Sequence, residues 1–299
     1  MARVLTYLDA PMWRAVRELY LQDKVVEALA EAEKLGGQDS NDLYAEAEVR
    51  RDGSQWKIRP WLTVEAIDSE LGHTRTTVLE IIGDACDALS QRFGWDQREA
   101  TMIALLPLDV EAPWMPGRWG YFVDKEPYDK ICLPHHLIHD LPELTKTVLH
   151  EFMHDITTNL SHGHAPRWLS EALSTYAEAR LDRNTWTEIQ SGRLEWLSPL
   201  SLDSMVSSDN RDAELHRSIS GAYSQANFIA RFLASEGGDQ KLGSLLTEIG
   251  DETFLHNLEN QILSRSRTDA SLRKVYHFSE IELFQKAHAW VLNTRIPLE

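Results

Sequence analysis

His150-Glu151-Phe152-Met153-His154 constrains this chain more than any other segment, because it sets two histidines four residues apart in a predicted helix. Residues i and i+4 lie one above the other on a helix face, so both imidazoles can reach one metal ion. The glutamate between them points to the side, where it can act as a general base on a water molecule at the metal. The segment therefore predicts a helix that carries two metal ligands and a base.

The helix predicted around this segment begins near residue 141 and has a separate apolar face. Asp140 is a capping residue, Pro142 suits the first turn, and Glu143 stands three residues after the cap. The apolar face consists of residues at helical spacing, namely Leu141, Leu144, Val148, Phe152, Ile156 and Leu160. The two histidines project from another face, so we expect them to be available as ligands.

A second helix is predicted over residues 165–176. Pro166 suits its first turn, and its apolar stripe comprises Trp168, Leu169, Ala172, Leu173 and Tyr176. Gly163 lies in the short turn between the helices, where the first helix is expected to end. Helices joined so closely can pack together and aim Glu171 at the two histidines. Three protein ligands with one position left for water are the usual set of a catalytic zinc ion, so we predict one Zn²⁺ per chain.

The two helices resemble those of the gluzincin metallopeptidases, and most closely the group called peptidase MA-like. That group has H-E-x-x-H followed by W-x-x-E-G-x-A-x-Y, and this chain has W-L-S-E-A-L-S-T-Y in the second helix. The resemblance implies that His150, His154 and Glu171 bind zinc and that Glu151 is the catalytic base. It also implies an α+β fold, a thermolysin-like zincin domain with a small mixed sheet lobe and a helical lobe.

Two positions of the second helix depart from the family pattern. Ala172 stands where the family usually has glycine, and Ser174 stands where it often has alanine. Both residues are small and neither change removes a ligand, so we expect both to be tolerated.

A peptidase of this kind also needs hydrogen-bond donors for the oxyanion that forms on the attacked carbonyl. Residues 220–233 are similar to a later helix of the family that often supplies a tyrosine for this purpose. The resemblance implies that Tyr223 is a catalytic donor, although the same position also suits a tyrosine packed in the core. Tyr176 and His216 are weaker candidates for the same role.

Other polar residues near the first helix leave alternatives open. His162 and His164 form an H-x-H pair that could bind a metal ion or orient substrate, and we assign them to the solvent or the rim of the cleft. A metzincin would place its third histidine at the position of Leu160, so that class is excluded. Asp155 follows the second ligand directly, and we favour a position on the helix surface over a contact with a ligand.

The order of predicted elements suggests two lobes behind an N-terminal segment. Strands predominate from about residue 55 to 134, and helices predominate from residue 141 onward. We therefore predict a helical and hairpin segment over 1–54 and a peptidase domain over 55–299. Within that domain, 55–135 forms the sheet lobe and 136–299 the helical lobe.

Periodicity and turn residues predict the individual elements. Helices are expected over 11–36 and 74–93, and strands over 101–106, 120–124 and 130–134. A β-hairpin is favoured over 43–65 with its turn at Asp52-Gly53, although 41–50 also suits a short helix. Residues 130–134 suit either an ordinary core strand or the sheet edge that holds an extended substrate in the family.

Composition excludes some partners. The net charge of −17, from 30 Lys and Arg against 47 Asp and Glu, argues against nucleic acids and anionic membrane surfaces. No run of about 18 apolar residues is present, so no membrane-spanning helix is expected. The first residues of the sequence lack the apolar stretch of a signal peptide, and we expect a cytoplasmic protein.

The combined motifs predict zinc-dependent hydrolysis of a peptide or protein substrate, with Glu151 as general base. Residues 115–120 lack the acid with which gluzincin aminopeptidases hold the substrate amine, so a restricted endopeptidase is favoured. The alternatives are a zinc-containing scaffold or autoinhibited partner-binding homologue, and a hydrolase of a non-peptide bond. Retention of Glu151 argues against a scaffold, because a structural site has no use for a base. The oligomeric state is left open.

Overall fold

The computed structural model describes residues 13–35, 41–96, 100–107, 120–124, 128–207, 213–251 and 266–295, with only the backbone at 41–42 and 213–218. Within them the fold is of the α+β class, mostly helical with a small mixed sheet. The chain divides into two compact units, one up to Ala88 with Asp96–Asp155, and the other Leu89–Trp95 with the residues from Ile156 onward. The predicted boundaries after residues 54 and 135 stay a prediction.

The strands of the described residues form one mixed sheet in the order β1-β2-β3-β5-β4. They are β1 (Ser54–Lys57), β2 (Leu62–Ala66), β3 (Thr101–Leu106), β4 (Tyr121–Val123) and β5 (Asp129–Pro134). Strands β2, β3 and β5 are parallel, while β1 and β4 run antiparallel to their neighbours at the two edges. Strands β3 and β5 are buried along their whole length, as is usual for central parallel strands.

Strand β5 lies inside the sheet, so an edge position for residues 130–134 is wrong and the alternative of a core strand is right. It pairs with β3 on one side and with β4 on the other. Among the described strands, the edge on this side is β4, whose Tyr121 lies opposite Cys132 of β5. The strand predicted over 120–124 is present as β4. An apolar run does not reveal its neighbours in a sheet, so neither strand alone predicts that β4 and β5 pair.

Helices account for most of the remaining described residues, and none of them is long and apolar enough to cross a membrane. Their bounds are α1 (Arg14–Leu21), α2 (Val25–Lys34), α3 (Asn41–Asp52), α4 (Asp68–Leu71), α5 (Arg75–Phe93), α6 (Leu141–Ser161), α7 (Arg167–Ala177), α8 (Arg183–Gln190), α9 (Pro199–Val206), α10 (Ala213–Ser235), α11 (Gly238–Ile249), α12 (Arg267–Tyr276) and α13 (Glu280–Asn293). The single helix predicted over 11–36 is two helices, α1 and α2. They are separated at Asp23, whose φ of 58° is left-handed and ends α1.

Residues 43–51 belong to helix α3, so the favoured hairpin strand is wrong and the alternative short helix is right. The reason is that α3 is apolar on two faces. Leu43 and Ala47 pack with residues of α1 and α2, whereas Ala45 and Val49 pack with the sheet. Each pair is four residues apart, but the two pairs point in opposite directions, so the apolar residues alternate and imitate the period of a strand.

A buried ion cluster ties α3 to the sheet. Lys130 of β5 is fully buried, and its ammonium group pairs with the carboxylates of Glu46 and Glu65. Glu65 also pairs with Arg50 at 3.0 Å, and Glu46 accepts a hydrogen bond from the Tyr20 hydroxyl at 2.9 Å. Burial opposes the charge of Lys130, but its two carboxylate neighbours raise its pKa above the ordinary value. The stabilisation is therefore present at neutral pH and is lost only as an alkaline pH rises through that pKa.

Substitution of Lys130 by methionine should destabilise the protein, because it removes the ammonium partner of two buried carboxylates. Breaking a buried ion pair in this way lowers the free energy of unfolding by about 3–5 kcal/mol. Urea denaturation followed by circular dichroism measures the change.

The matched control is Lys34→Met. Lys34 pairs with Glu31 at 2.6 Å, but its side chain is 69% exposed, and exposed pairs of this kind contribute little to stability. Equal stability of the two variants would contradict the role assigned to Lys130.

Candidate metal centre

Helix α6 has the borders and the buried face that its sequence predicts. The backbone N–H of Glu143 donates to the Asp140 carboxylate at 3.2 Å, which caps the first turn. The apolar face is fully buried at Leu144, Val148, Phe152 and Ile156. Phe152 also stacks on Trp61, with ring centroids 5.7 Å apart. This packing fixes the rotation of α6, and with it the direction in which its two histidines project.

The turn after α6 and the anchoring of α7 bring Glu171 into place. Gly163 has a φ of 72°, and its N–H donates at 2.9 Å to a carbonyl in the last turn of α6. Trp168 of α7 is buried, and its backbone N–H donates to Asp203 at 2.9 Å. The indole N–H of Trp168 donates to Glu280 at 3.1 Å. These bonds fix the start of α7, and Glu171 follows Trp168 by three residues.

The three predicted ligands come together in this helix–turn–helix segment. One ligand atom each of His150, His154 and Glu171 lies within 4.8 Å of the other two. The Nε2 atoms of the two histidines are 3.2 Å apart, close to the roughly 3.3 Å between two nitrogens bound tetrahedrally to zinc at about 2.0–2.1 Å. Two imidazoles and one carboxylate are also a donor set that catalytic zinc uses. The geometry and the donor set therefore both fit zinc.

Glu151 is packed against the backbone of Gly120. Glu151 is buried, and a Cβ built on Gly120 would lie 3.0 Å from its Cγ. The same Cβ would lie 2.9 Å from the Cys132 carbonyl oxygen and 2.5 Å from Leu133 Cδ2. Glycine is therefore the residue that fits between β5 and Glu151 without a displacement. Sequence reasoning missed this contact, and the available signal was a glycine at the start of a short predicted strand.

Asp155 is fully buried, so its predicted position on the helix surface is wrong. Its carboxylate accepts a hydrogen bond from the Thr101 hydroxyl of β3 at 2.8 Å. Asp155 follows Phe152 by three residues, which places it on the buried face of α6. A carboxylate on that face requires a hydrogen-bond partner, and Thr101 provides one.

His162 and His164 are exposed, as predicted. Among the described residues, neither belongs to the group of ligand atoms formed by the two helices. His162 has a φ of 49°, so it takes part in the left-handed turn that ends α6. Their position favours the assignment to solvent.

The candidate oxyanion donors differ in their contacts. Tyr223 of α10 is partly buried, and its hydroxyl donates to the Val206 carbonyl at 3.4 Å. Tyr176 donates to Asp239 at 2.7 Å, and burial together with this bond raises its pKa. The side chain of His216 lies outside the described residues. Tyr223, whose hydrogen bond is the longer of the two, stays the predicted donor.

Comparison with known proteins identifies one family. A family model described as the Peptidase MA superfamily matches residues 139–293. The match covers just over half of the 299-residue chain and runs from just before α6 to the last residue of α13. No match was found among the curated proteins. The matched region contains both helices that carry the predicted ligands.

Substitution of Gly120 by alanine should destabilise the protein and displace Glu151, because the added methyl group meets the β5 backbone and the Glu151 side chain. Forcing one extra carbon into packed surroundings costs about 1–3 kcal/mol of the free energy of unfolding. Urea denaturation measures the cost, and a crystal structure of the variant shows where Glu151 moves.

Gly221→Ala is the matched control. A Cβ at this α10 position would lie 3.2 Å from Leu194 Cδ2, the end of a side chain that can rotate. Alanine also favours a helix over glycine by roughly 1 kcal/mol, so this variant should be neutral or more stable. A Gly120→Ala protein as stable as the wild type would show that β5 and Glu151 can separate at little cost.

Proposed function

This chain belongs to the Peptidase MA superfamily, and we propose that it is a zinc-dependent peptidase. The observation that carries the proposal is the group formed by His150, His154 and Glu171, whose ligand atoms lie within 4.8 Å of one another. Such a set suits catalytic zinc, which takes three protein ligands and leaves a position open. When bound there, zinc would polarise the substrate carbonyl and lower the pKa of a water molecule.

Glu151 is the proposed general base. It lies next to His150 on the same turn of α6, and the backbone of Gly120 holds its side chain in place. Its carboxylate accepts a proton as water attacks the peptide carbonyl, and then gives that proton to the departing amine. A base at this position supports a peptidase over a zinc-containing scaffold.

Tyr223 is the proposed donor to the oxyanion. The Tyr223 hydroxyl donates a hydrogen bond to the Val206 carbonyl at 3.4 Å, and a hydrogen bond of that length is weak. This bond to Val206 can be exchanged at small cost for a bond to a negative oxygen. A donor aimed at developing charge contributes more in the transition state than in the ground state.

The proposed substrate is an internal bond of an extended peptide or protein, as in a restricted endopeptidase. Strand β4 supports this proposal, because it is an edge of the sheet in the part of the chain that the structure describes and begins one residue after Gly120, which touches Glu151. An extended peptide can add to such an edge through main-chain hydrogen bonds. Residues 115–119, which lack an acid for a substrate amine, lie outside the described residues. The absence of nucleic-acid and membrane partners and the cytoplasmic location stay predictions.

Substitution of Glu151 by glutamine should abolish peptide hydrolysis while the protein keeps its fold and its zinc. The amide cannot accept the proton, and loss of a general base lowers the rate about 10²–10⁴-fold. Cleavage of a peptide library measures activity, and elemental analysis measures zinc per chain.

His150→Ala is the control, because it should lose zinc and activity together. Hydrolysis at the wild-type rate by a zinc-loaded Glu151→Gln protein would refute the role of the base. A zinc-loaded wild-type protein that cleaves no member of the library would favour the partner-binding scaffold.

Substitution of Tyr223 by phenylalanine should lower kcat about 10²–10³-fold and leave zinc content unchanged, as expected for loss of one oxyanion donor. Tyr276→Phe is the matched control, since the Tyr276 hydroxyl also donates to a helix carbonyl at 3.4 Å, that of Leu233. Steady-state kinetics on one peptide that the wild type cleaves give kcat for both variants. Equal kcat values for the two would reassign Tyr223 to packing.

A further inference from the structure

An arginine lies beside the carboxylate ligand at the start of α7. Arg167 is the first residue of this helix and Glu171 follows it by one turn. Nη2 of Arg167 is 3.1 Å from Oε1 of Glu171, within reach of a charged hydrogen bond. The Glu171 side chain is only 4% exposed and that of Arg167 is 23% exposed, so solvent weakens this pair less than a surface pair.

Helix stability does not explain an arginine at this position. The N-terminus of a helix carries partial positive charge, so acidic residues stabilise the first turn and basic residues oppose it. Helix α7 has no acidic residue in its first turn, and Arg167 brings a positive charge there. The order of the pair is also the less favourable one, because intrahelical ion pairs prefer the acidic residue first.

The chemistry of the ligand group does explain it. A carboxylate has two oxygens with several acceptor positions, so Glu171 can accept a hydrogen bond from Arg167 and still bind an ion. Partners that hold a metal ligand in place usually change the metal affinity 10–100-fold when they are removed. We propose that Arg167 is a positioning residue, which orients the Glu171 carboxylate toward His150 and His154. This inference rests on the proposed zinc site.

Two effects of opposite sign are expected when Arg167 is removed. Without Arg167 the Glu171 carboxylate is no longer held in one orientation, which weakens zinc binding. The loss of a positive charge close to the ion has the opposite effect and strengthens zinc binding. Lysine separates the two effects, because it keeps the charge but replaces the planar fork of the guanidinium by a single mobile donor. If orientation dominates, zinc affinity falls in the order arginine, lysine, methionine.

The test is the zinc dissociation constant of the full chain, measured by competition with a chromophoric chelator. Arg167→Met should weaken zinc binding about 10–100-fold. Arg167→Lys should recover part of this loss. The control is Arg273→Met on α12, which removes another ion pair between residues four apart. There Nε of Arg273 lies 2.9 Å from Oδ2 of Asp269. The zinc affinity of this variant should equal that of the wild type.

Each outcome decides between the two proposals. Zinc binding by the wild type but not by His150→Ala, with an unchanged dissociation constant in Arg167→Met, would overturn the role of Arg167 alone. A wild type that binds no zinc, or binds it as well as His150→Ala, would overturn the zinc site and this inference together. If Arg167→Met does not fold, Arg167→Lys decides, and a wild-type dissociation constant in that variant would overturn the positioning role.

Discussion

The regular turn of α6 between His150 and His154 is the constraint on which the candidate site depends. The two imidazoles can meet one ion only while the helix advances about 100° per residue between them. That regularity is stabilised on the opposite side, where Phe152 and Ile156 are fully buried and Phe152 stacks on Trp61. The same two turns of α6 therefore hold both the buried residues and the two histidine ligands. A change in the buried face would move both histidines at once.

The sequence predicts local elements well and their neighbours poorly. Strand β3 follows from a short apolar run and the cap of α6 follows from Asp140, and both are local properties. Over residues 43–51 the pattern favours a strand over the short helix that the structure has, because α3 is in contact with apolar residues on two sides and the resulting pattern has the period of a strand. The place of β5 inside the sheet depends on β4, and pairing between strands is not encoded in either strand alone.

The same distinction applies to the site. His150, Glu151, His154 and Glu171 lie in motifs whose spacing has a direct geometric meaning, so sequence alone nominates them. The contact of Gly120 with Glu151 links residues far apart in the chain, and no local pattern contains it. Asp155 is an intermediate case, because helical spacing from Phe152 indicates burial, although its partner Thr101 is found only in the structure.

Different residues hold the general base Glu151 and the carboxylate ligand Glu171 in place. Glu151 is packed against Gly120, which precedes β4, and Asp155 is bonded to β3 close to the base. Glu171 is held within α7, by the anchoring of Trp168 and by the Arg167 guanidinium. Changes near the sheet should therefore alter proton transfer, whereas changes at the start of α7 should alter metal affinity. Gly120 and Arg167 thus offer separate positions at which to vary proton transfer and metal affinity.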